Sequence, residues 1–485
     1  MGAKMRIRID KLTQHYKEMS LPLKVSGWFF FCSLLQKGLA FFTTPLFTRV
    51  LDTADYGIVS VYHSWEQIII IFITMNLADS VLNVGLVKYH DNKDEFQTSL
   101  LALEFVWAAI MSFAFLLGYP FLYPYVRLET KFVAVMLTHC FFWTVMCMWT
   151  QRQRFEYRYR KMAAVTLINT FGSVALSVVL VFFMEDRAFG KVLGGAAAVV
   201  IPGIFCVADC LGKNRKIKPQ YWKFALKYNI PMIPHFLSSV ILNQLDRIMI
   251  QNMCGLNQAG IYAVAYNSAS VIYIVNQALG ASYNPWMLQR LRVKKYDHVK
   301  ETVNTILLVY LMALLVFILF APEIMRFMAS RDYYEGIYMI PPVACSMFFI
   351  LLFNLFSPVE YFSMKTKFMG IASMVSAGMN IVLNAIFIQL YGYLAAGYTT
   401  LACYMIYAMT HYLYMKKCCG RLGIPGLFDH RKILLMSLAV TAAALVSAAI
   451  YPYYLLRYFI ILLMCVTGFF LRKRIRDTVK RVLSA

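Results

Sequence analysis

Apolar residues along this chain gather in blocks of about 20, and short polar connections separate them. About 20 apolar residues in a helix cross roughly 30 Å of hydrocarbon. Fourteen blocks have that length: 25–47, 58–86, 99–122, 132–149, 162–183, 192–211, 230–250, 261–287, 303–320, 337–362, 369–390, 394–414, 433–451 and 455–471. The pattern predicts an all-α polytopic membrane protein of about 14 transmembrane helices. The second and eighth blocks are long, so tilt or a protruding end is expected there.

Composition agrees. Of 485 residues 60% are hydrophobic and 15% charged, and the mean hydropathy is +0.60. A soluble domain is about 25% charged. A soluble enzyme, a disordered chain and a single-anchor receptor are excluded. The charge is the second oddity: 47 Lys and Arg against 24 Asp and Glu, net +23. A soluble protein this basic would suggest nucleic acid. Here cytoplasmic loops should carry the cations. With the N-terminus inside, 37 of the 47 basic residues fall on one side, eight fall on outer connections, and Lys37 and Arg247 lie within or at the end of spans. That split predicts an N-in, C-in orientation and removes the need for a nucleic-acid partner. Tyrosines at the outer ends, such as Tyr123, Tyr125, Tyr453 and Tyr454, form the expected interfacial belt. The first block is too long for a cleavable signal and reads as a span.

The chemistry of cofactors is not expected. Most of the eleven cysteines lie in spans, and none has partners at zinc spacing. No Walker A loop, dinucleotide turn or nucleophile elbow occurs. The chain reads as no enzyme, with no metal and no cofactor. A membrane glycosyltransferase or polymerase would need a large outer loop, and the outer loops are short.

The second span opens Asp55-Tyr56-Gly57-Ile58-Val59 and the eighth Ala259-Gly260-Ile261-Tyr262-Ala263. Six spans separate them, an even number, so the halves would be parallel repeats. At these residues the chain resembles a known family. Thr44-Pro45-Leu46-Phe47-Thr48-Arg49-Val50-Leu51-Asp52-Thr53-Ala54-Asp55-Tyr56-Gly57 looks like the opening of Wzx-type polysaccharide flippases. Pro231-Met232-Ile233-Pro234, then Asn243-Gln244-Leu245-Asp246-Arg247 and Gly260-Ile261-Tyr262, look like the start of their second bundle. The resemblance implies the multidrug/oligosaccharidyl-lipid/polysaccharide (MOP) exporter superfamily, with two six-helix bundles and a cavity between them. The expected organisation is a cytoplasmic arm over 1–24, a first bundle over 25–212, a linker over 213–228, a second bundle over 229–415, two extra helices over 416–471 and a basic tail over 472–485. The resemblance also implies flipping of undecaprenyl-diphosphate-linked oligosaccharide across the bacterial cytoplasmic membrane. The expected partners are that substrate, membrane lipids, a coupling H+ or Na+, and polysaccharide polymerase or assembly proteins.

Polar groups at membrane depth mark candidate sites, since an ionised side chain there costs at least about 2.5 kcal/mol. Lys37 sits near the middle of the first span. It reads as a cavity cation for a diphosphate or acidic sugar, or as the ion-pair partner of Glu66 or Glu104. The second span carries His63, Glu66, Asn76, Asp79 and Asn83. The last three are spaced to share one helix face, with a bland role for Asp79 near the cytoplasmic end. Glu66 reads as a protonation site or as a neutral, hydrogen-bonded acid. In the seventh span His235, Ser239 and Asp246 fall within about 40° of one another, with Asn243 at the edge. Asp246-Arg247, with Arg49, reads as a structural pair pinning the outer loop, or as a gate. The eighth span holds a stripe of Tyr266, Ser270, Tyr273, Gln277 and Asn284, the groups that a sugar chain needs. The stripe Ser373, Ser376, Asn380 and Asn384 in the eleventh reads as packing. Taken together, these residues and the resemblance point to an ion-coupled flippase. A drug or cation antiporter, a lipid II flippase and a non-transporting scaffold are the rivals.

Overall fold

A computed structural model describes residues 21–213, 215–363, 367–424 and 426–483. Most of the predicted N-terminal arm, and the last two residues of the tail, lie outside the described residues. The described chain is helical almost throughout. Its helices are α1 Leu21–Val50, α2 Thr53–Thr74, α3 Asn83–Lys88, α4 Lys93–Val126, α5 Thr130–Phe155, α6 Tyr159–Phe183, α7 Arg187–Lys213, α8 Pro219–Asn229 and α9 Ile233–Cys254. They continue as α10 Leu256–Ala269, α11 Val271–Arg292, α12 Val299–Leu319, α13 Ala321–Met328, α14 Ile340–Phe362, α15 Lys367–Tyr391, α16 Ala395–Leu422, α17 His430–Ile450, α18 Tyr454–Phe470 and α19 Arg472–Leu483.

Two compact units form. One holds residues up to 43 together with 65–236, and the other holds 44–64 with 237 onward. The end of α1 and the start of α2 therefore belong with the second unit. Ten described helices are long and apolar enough to cross a membrane, or eleven if the bent pair α18–α19 is one span. The predicted seventh, eighth and twelfth spans do not qualify. The physical reason is visible in α9, α10, α11 and α16, which carry amides, hydroxyls and charges in place of apolar side chains.

In the first unit the predicted second span is not one helix. It breaks after Thr74, with Met75 at φ 51° and Asn76 at φ 53°, and resumes through a π-helical turn at Ala78–Leu82. A left-handed Met is uncommon and must be held in place. Asn229 holds it. This fully buried amide donates to the Met75 carbonyl and accepts from Ser80 Oγ, so it satisfies backbone freed by the break. Asn229 ends α8, and the segment expected as a linker is thus partly a helix seated on α4. Tyr221 donates to Glu95 at 2.9 Å, Lys218 pairs with Glu95 at 2.7 Å, and Trp222 Nε1 donates to the Ser99 carbonyl at 2.7 Å. Beneath them Leu77, Val81, Leu82, Leu86, Phe96 and Leu100 form a sealed core. Arg152, 3% exposed, ties the start of α4 to the end of α5 through Asp94 and Glu156. Burial pushes the Glu156 carboxyl up, but the Arg152 hydrogen bond and charge outweigh it and hold that carboxyl below its usual range. Small residues let α6 and α7 approach closely: a Cβ on Gly194 would strike the Ser177 backbone.

In the second unit α14 is the central helix, enclosed by α11, α12, α16 and α17. The 44–64 segment is fastened here. Thr48 Oγ1 donates to the Met328 carbonyl at 2.7 Å, Tyr333 OH to the Asp52 carbonyl at 2.7 Å, and Thr53 Oγ1 to Asn257 at 2.8 Å. Gly57 and Gly260, from the two segments with the short sequence likeness, meet here. A Cβ on Gly57 would strike the Leu256 carbonyl, and a Cβ on Gly260 would strike the Thr53 carbonyl. Each helix thus uses its glycine to admit the other's backbone, four residues along in both directions. The extra helices α17 and α18 attach to α12–α14. Arg457, 4% exposed, reaches Glu323 with two hydrogen bonds of 2.7 and 2.9 Å and also the Leu319 carbonyl at 2.7 Å.

Candidate functional site

The polar residues on α9 diverge. Its second half packs, so Asp246 is fully buried and Arg247 5% exposed, whereas His235 and Ser239 near its start are exposed. The wheel angle placed these residues together, but burial along the helix separates them. Asp246 Oδ2 accepts from Tyr262 OH at 2.7 Å and from Thr400 Oγ1 at 3.0 Å, and Oδ1 accepts from Asn384 Nδ2 at 2.6 Å. Asn384 in turn accepts from Thr399 and lies 3.2 Å from Asn380. One carboxylate therefore ties α9, α10, α15 and α16, and the stripe on α15 is packing, as its spacing suggests.

Arg247 makes no ion pair with Asp246, because neighbours on a helix point about 100° apart. Its guanidinium donates to the Asn243 carbonyl at 2.9 Å and to Gln244 Oε1 at 3.1 Å. It also lies 4.4 Å over the Tyr266 ring, a cation–π contact. Asn243 accepts from Tyr404 OH at 3.0 Å. Arg49 sits elsewhere: it donates to the Pro45 and Phe327 carbonyls, joining the ends of α1 and α13.

The stripe expected along one eighth span is split. The helix breaks at Ser270, whose Oγ donates to the Asn267 carbonyl, so Tyr266 ends up on α10 while Tyr273 and Gln277 are on α11. Tyr266 is nearly buried. Tyr273 is half-buried and accepts from exposed Gln277 at 3.0 Å. Asn276, one position away, is fully buried and donates to the Met347 carbonyl at 2.9 Å, which seats α11 on α14.

In the first unit Glu66 is buried on α2, 2.7 Å from His139 Nδ1 on α5. The His139 ring stacks on Trp143 at 5.9 Å and 26°. Glu104 on α4 is fully buried, and neither carboxyl oxygen has a hydrogen-bond partner among the described residues. The side chain of Lys37 lies outside the described residues. His63 is exposed, on the part of α2 that belongs to the second unit. The expected common face of Asn76, Asp79 and Asn83 is interrupted by the left-handed turn. Asp79 and Asn83 nevertheless meet through Gln151, which donates to Asp79 at 2.9 Å and accepts from Asn83 at 3.0 Å.

Sequence reasoning missed His139, and with it a second buried acid–histidine pair. Glu360 on α14 and His411 on α16 are both fully enclosed, 2.8 Å apart. Rings of Phe353 and Tyr407 surround His411. A lone histidine in an apolar block carries no local signal of a partner 51 or 73 residues away. Among the described residues no three of His, Cys, Asp and Glu cluster as metal ligands.

With this geometry in view, comparison with known proteins is direct. The family model described as polysaccharide biosynthesis protein matches residues 23–290, and a model described as MatE matches 231–386. Lsg locus putative protein 1 of Haemophilus influenzae is 31% identical over 86 residues, 17% of this chain and only 21% of that protein. Among solved structures, the lipid II flippase MurJ in an inward closed conformation aligns over 92% of this chain and 99% of its own, with TM-score 0.69 and 14% identity. An inward-facing multidrug resistance MATE family transporter of the MOP superfamily aligns over 80% and 95%, with TM-score 0.59 and 13% identity. At such identities the likeness is one of fold. The chain is a multi-pass protein of the bacterial cytoplasmic membrane with the all-α fold of these transporters, and it belongs to the polysaccharide biosynthesis protein family.

Proposed function

We propose that the chain moves lipid-linked oligosaccharide across the cytoplasmic membrane, the sugar head through the protein and the lipid tail along the bilayer. The observation that carries this reading is the α11 surface, where exposed Gln277 and half-buried Tyr273 present an amide and an aromatic ring on a membrane transporter's helix. Sugars are held by such hydrogen bonds and ring faces, whereas a hydrophobic drug has no use for them. The family match supports the polysaccharide side of this reading. With no nucleotide-binding motif in the sequence, an H+ or Na+ gradient supplies the energy, and Lys37 attracts the anionic head group. The test is made in a host lacking this gene. Wild-type protein should restore surface polysaccharide and clear lipid-linked precursor from the inner leaflet. Lys37→Ala should insert normally yet fail to do so; normal export by that variant removes Lys37 from the mechanism. Cysteines at 273 and 277 should react with a hydrophilic thiol reagent, and full protection in every state would refute the α11 surface as a substrate path.

A further inference from the structure

The first unit contains a cavity of about 290 Å³, walled by α1, the π-helical turn, α5 and α6. Its described lining is rich in polar groups: Gln36, Asp79, Asn83, Gln151 and Arg154 line it together with Trp143. We propose that this cavity binds one pyranose ring together with its adjoining phosphate. The inference rests on the transport reading above and adds a location and a ligand to it.

Each part of the lining has spare capacity. Asp79, Gln151 and Asn83 are joined in one chain of hydrogen bonds, which fixes their orientation. An ionised carboxylate accepts at two oxygens, and an amide offers two N–H groups and a carbonyl, so the chain still has acceptors and donors for vicinal hydroxyls. Trp143 supplies an aromatic ring to the lining, stacked on His139, which lies 2.7 Å from Glu66. Apolar sugar faces pack on such rings. Arg154 rests on the Phe29 ring at 4.7 Å, and no carboxylate reaches it as an ion pair among the described residues. A planar guanidinium with open donors matches a phosphate in two-point geometry. Among the described lining residues Asp79 is the acid and Arg154 the base, a balance that suits a hydroxylated ring with one anionic end. The volume is at the small end of ligand sites, room for one ring and not for a chain. An acyl or prenyl tail would leave these polar groups without partners, at a cost that excludes it.

The experiment uses purified full-length protein and decyl-diphosphate N-acetylglucosamine as probe, with decyl diphosphate and free N-acetylglucosamine as separate arms. Cys147 lines the same cavity, so its labelling by a small thiol reagent reports occupancy. The probe should slow that labelling, and Arg154→Gln and Trp143→Ala should each weaken binding about tenfold or more. Arg154→Lys should fall between. Arg154 has no ion-pair partner to lose, so it carries the test if Trp143→Ala fails to accumulate. Unchanged binding in Arg154→Gln, or a probe that never shields Cys147 in a protein that restores export, overturns the cavity assignment alone. Wild-type protein that neither binds the probe nor restores export overturns the transport reading itself.

Discussion

Two aspartates, one in each unit, show how the same residue type serves opposite ends. Asp246 in the second unit is fully enclosed and takes a hydrogen bond from each of three other helices. Asp79 in the first unit is exposed to a cavity and takes one, from Gln151. Saturation and enclosure make Asp246 a fastening. Spare valence and an opening make Asp79 available to something else. Residue type alone therefore does not single out a binding site; unused hydrogen-bonding capacity is the sharper guide.

The sharpest way to break this contrast is Asp246→Ala. It strands the Tyr262, Thr400 and Asn384 donors, and single interhelical bonds in membranes are worth well under 1 kcal/mol each on average while buried unsatisfied groups cost about 1–3. The expected loss is about 2–4 kcal/mol, read as a large drop in the thermal midpoint in detergent. A stable Asp246→Ala protein that fails to export would make Asp246 part of the transport path instead. Next come Gly57→Ala and Gly260→Ala, each placing a methyl against a backbone carbonyl that cannot swing away. Each should cost about 1–3 kcal/mol by the same assay, whereas Gly118→Ala, with open space around it, should cost almost nothing.

Asp79→Asn sharpens the other side. Its stability should stay within about 0.5 kcal/mol of wild type, while export falls. A stability loss as large as that of Asp246→Ala would erase the distinction. The smallest effect concerns Glu156. Its carboxyl is held below the usual range by Arg152 despite burial, so its contribution is present above the unfolded value of about 4.3 and is lost as pH falls through the folded value. The difference in thermal midpoint between wild type and Glu156→Gln should be full at neutral pH and vanish at strongly acidic pH.

The helical class and most of the long apolar helices were legible in the sequence, because length and hydropathy decide them. The breaks were not. Met75 and Asn76 turn left-handed with neither Gly nor Pro to announce it, and the turn is stabilised by Asn229, over 150 residues later. The same applies to the cavity: Asp79 read as a bland acid near the cytoplasmic end of its span, since its partner Gln151 and the open face beside it exist only once α5 is in place. Asp246-Arg247 read as a pair because the residues are adjacent, yet adjacency on a helix sends them to different neighbours. The packing role of Ser373, Ser376, Asn380 and Asn384 was readable, since small polar groups at helical spacing suit close helix contact.

The reciprocal seat of Gly57 and Gly260 has a consequence for how this chain tolerates change. Most packing errors can be repaired from across the interface, a larger side chain here answered by a smaller one there. This contact offers no such exchange, because each glycine faces a carbonyl oxygen and neither partner has anything to give up. Substitutions at the two positions can only compound, so the double variant should be worse than either single one, and the short likeness around Gly57 and Gly260 marks a place where both helices leave the same atom out.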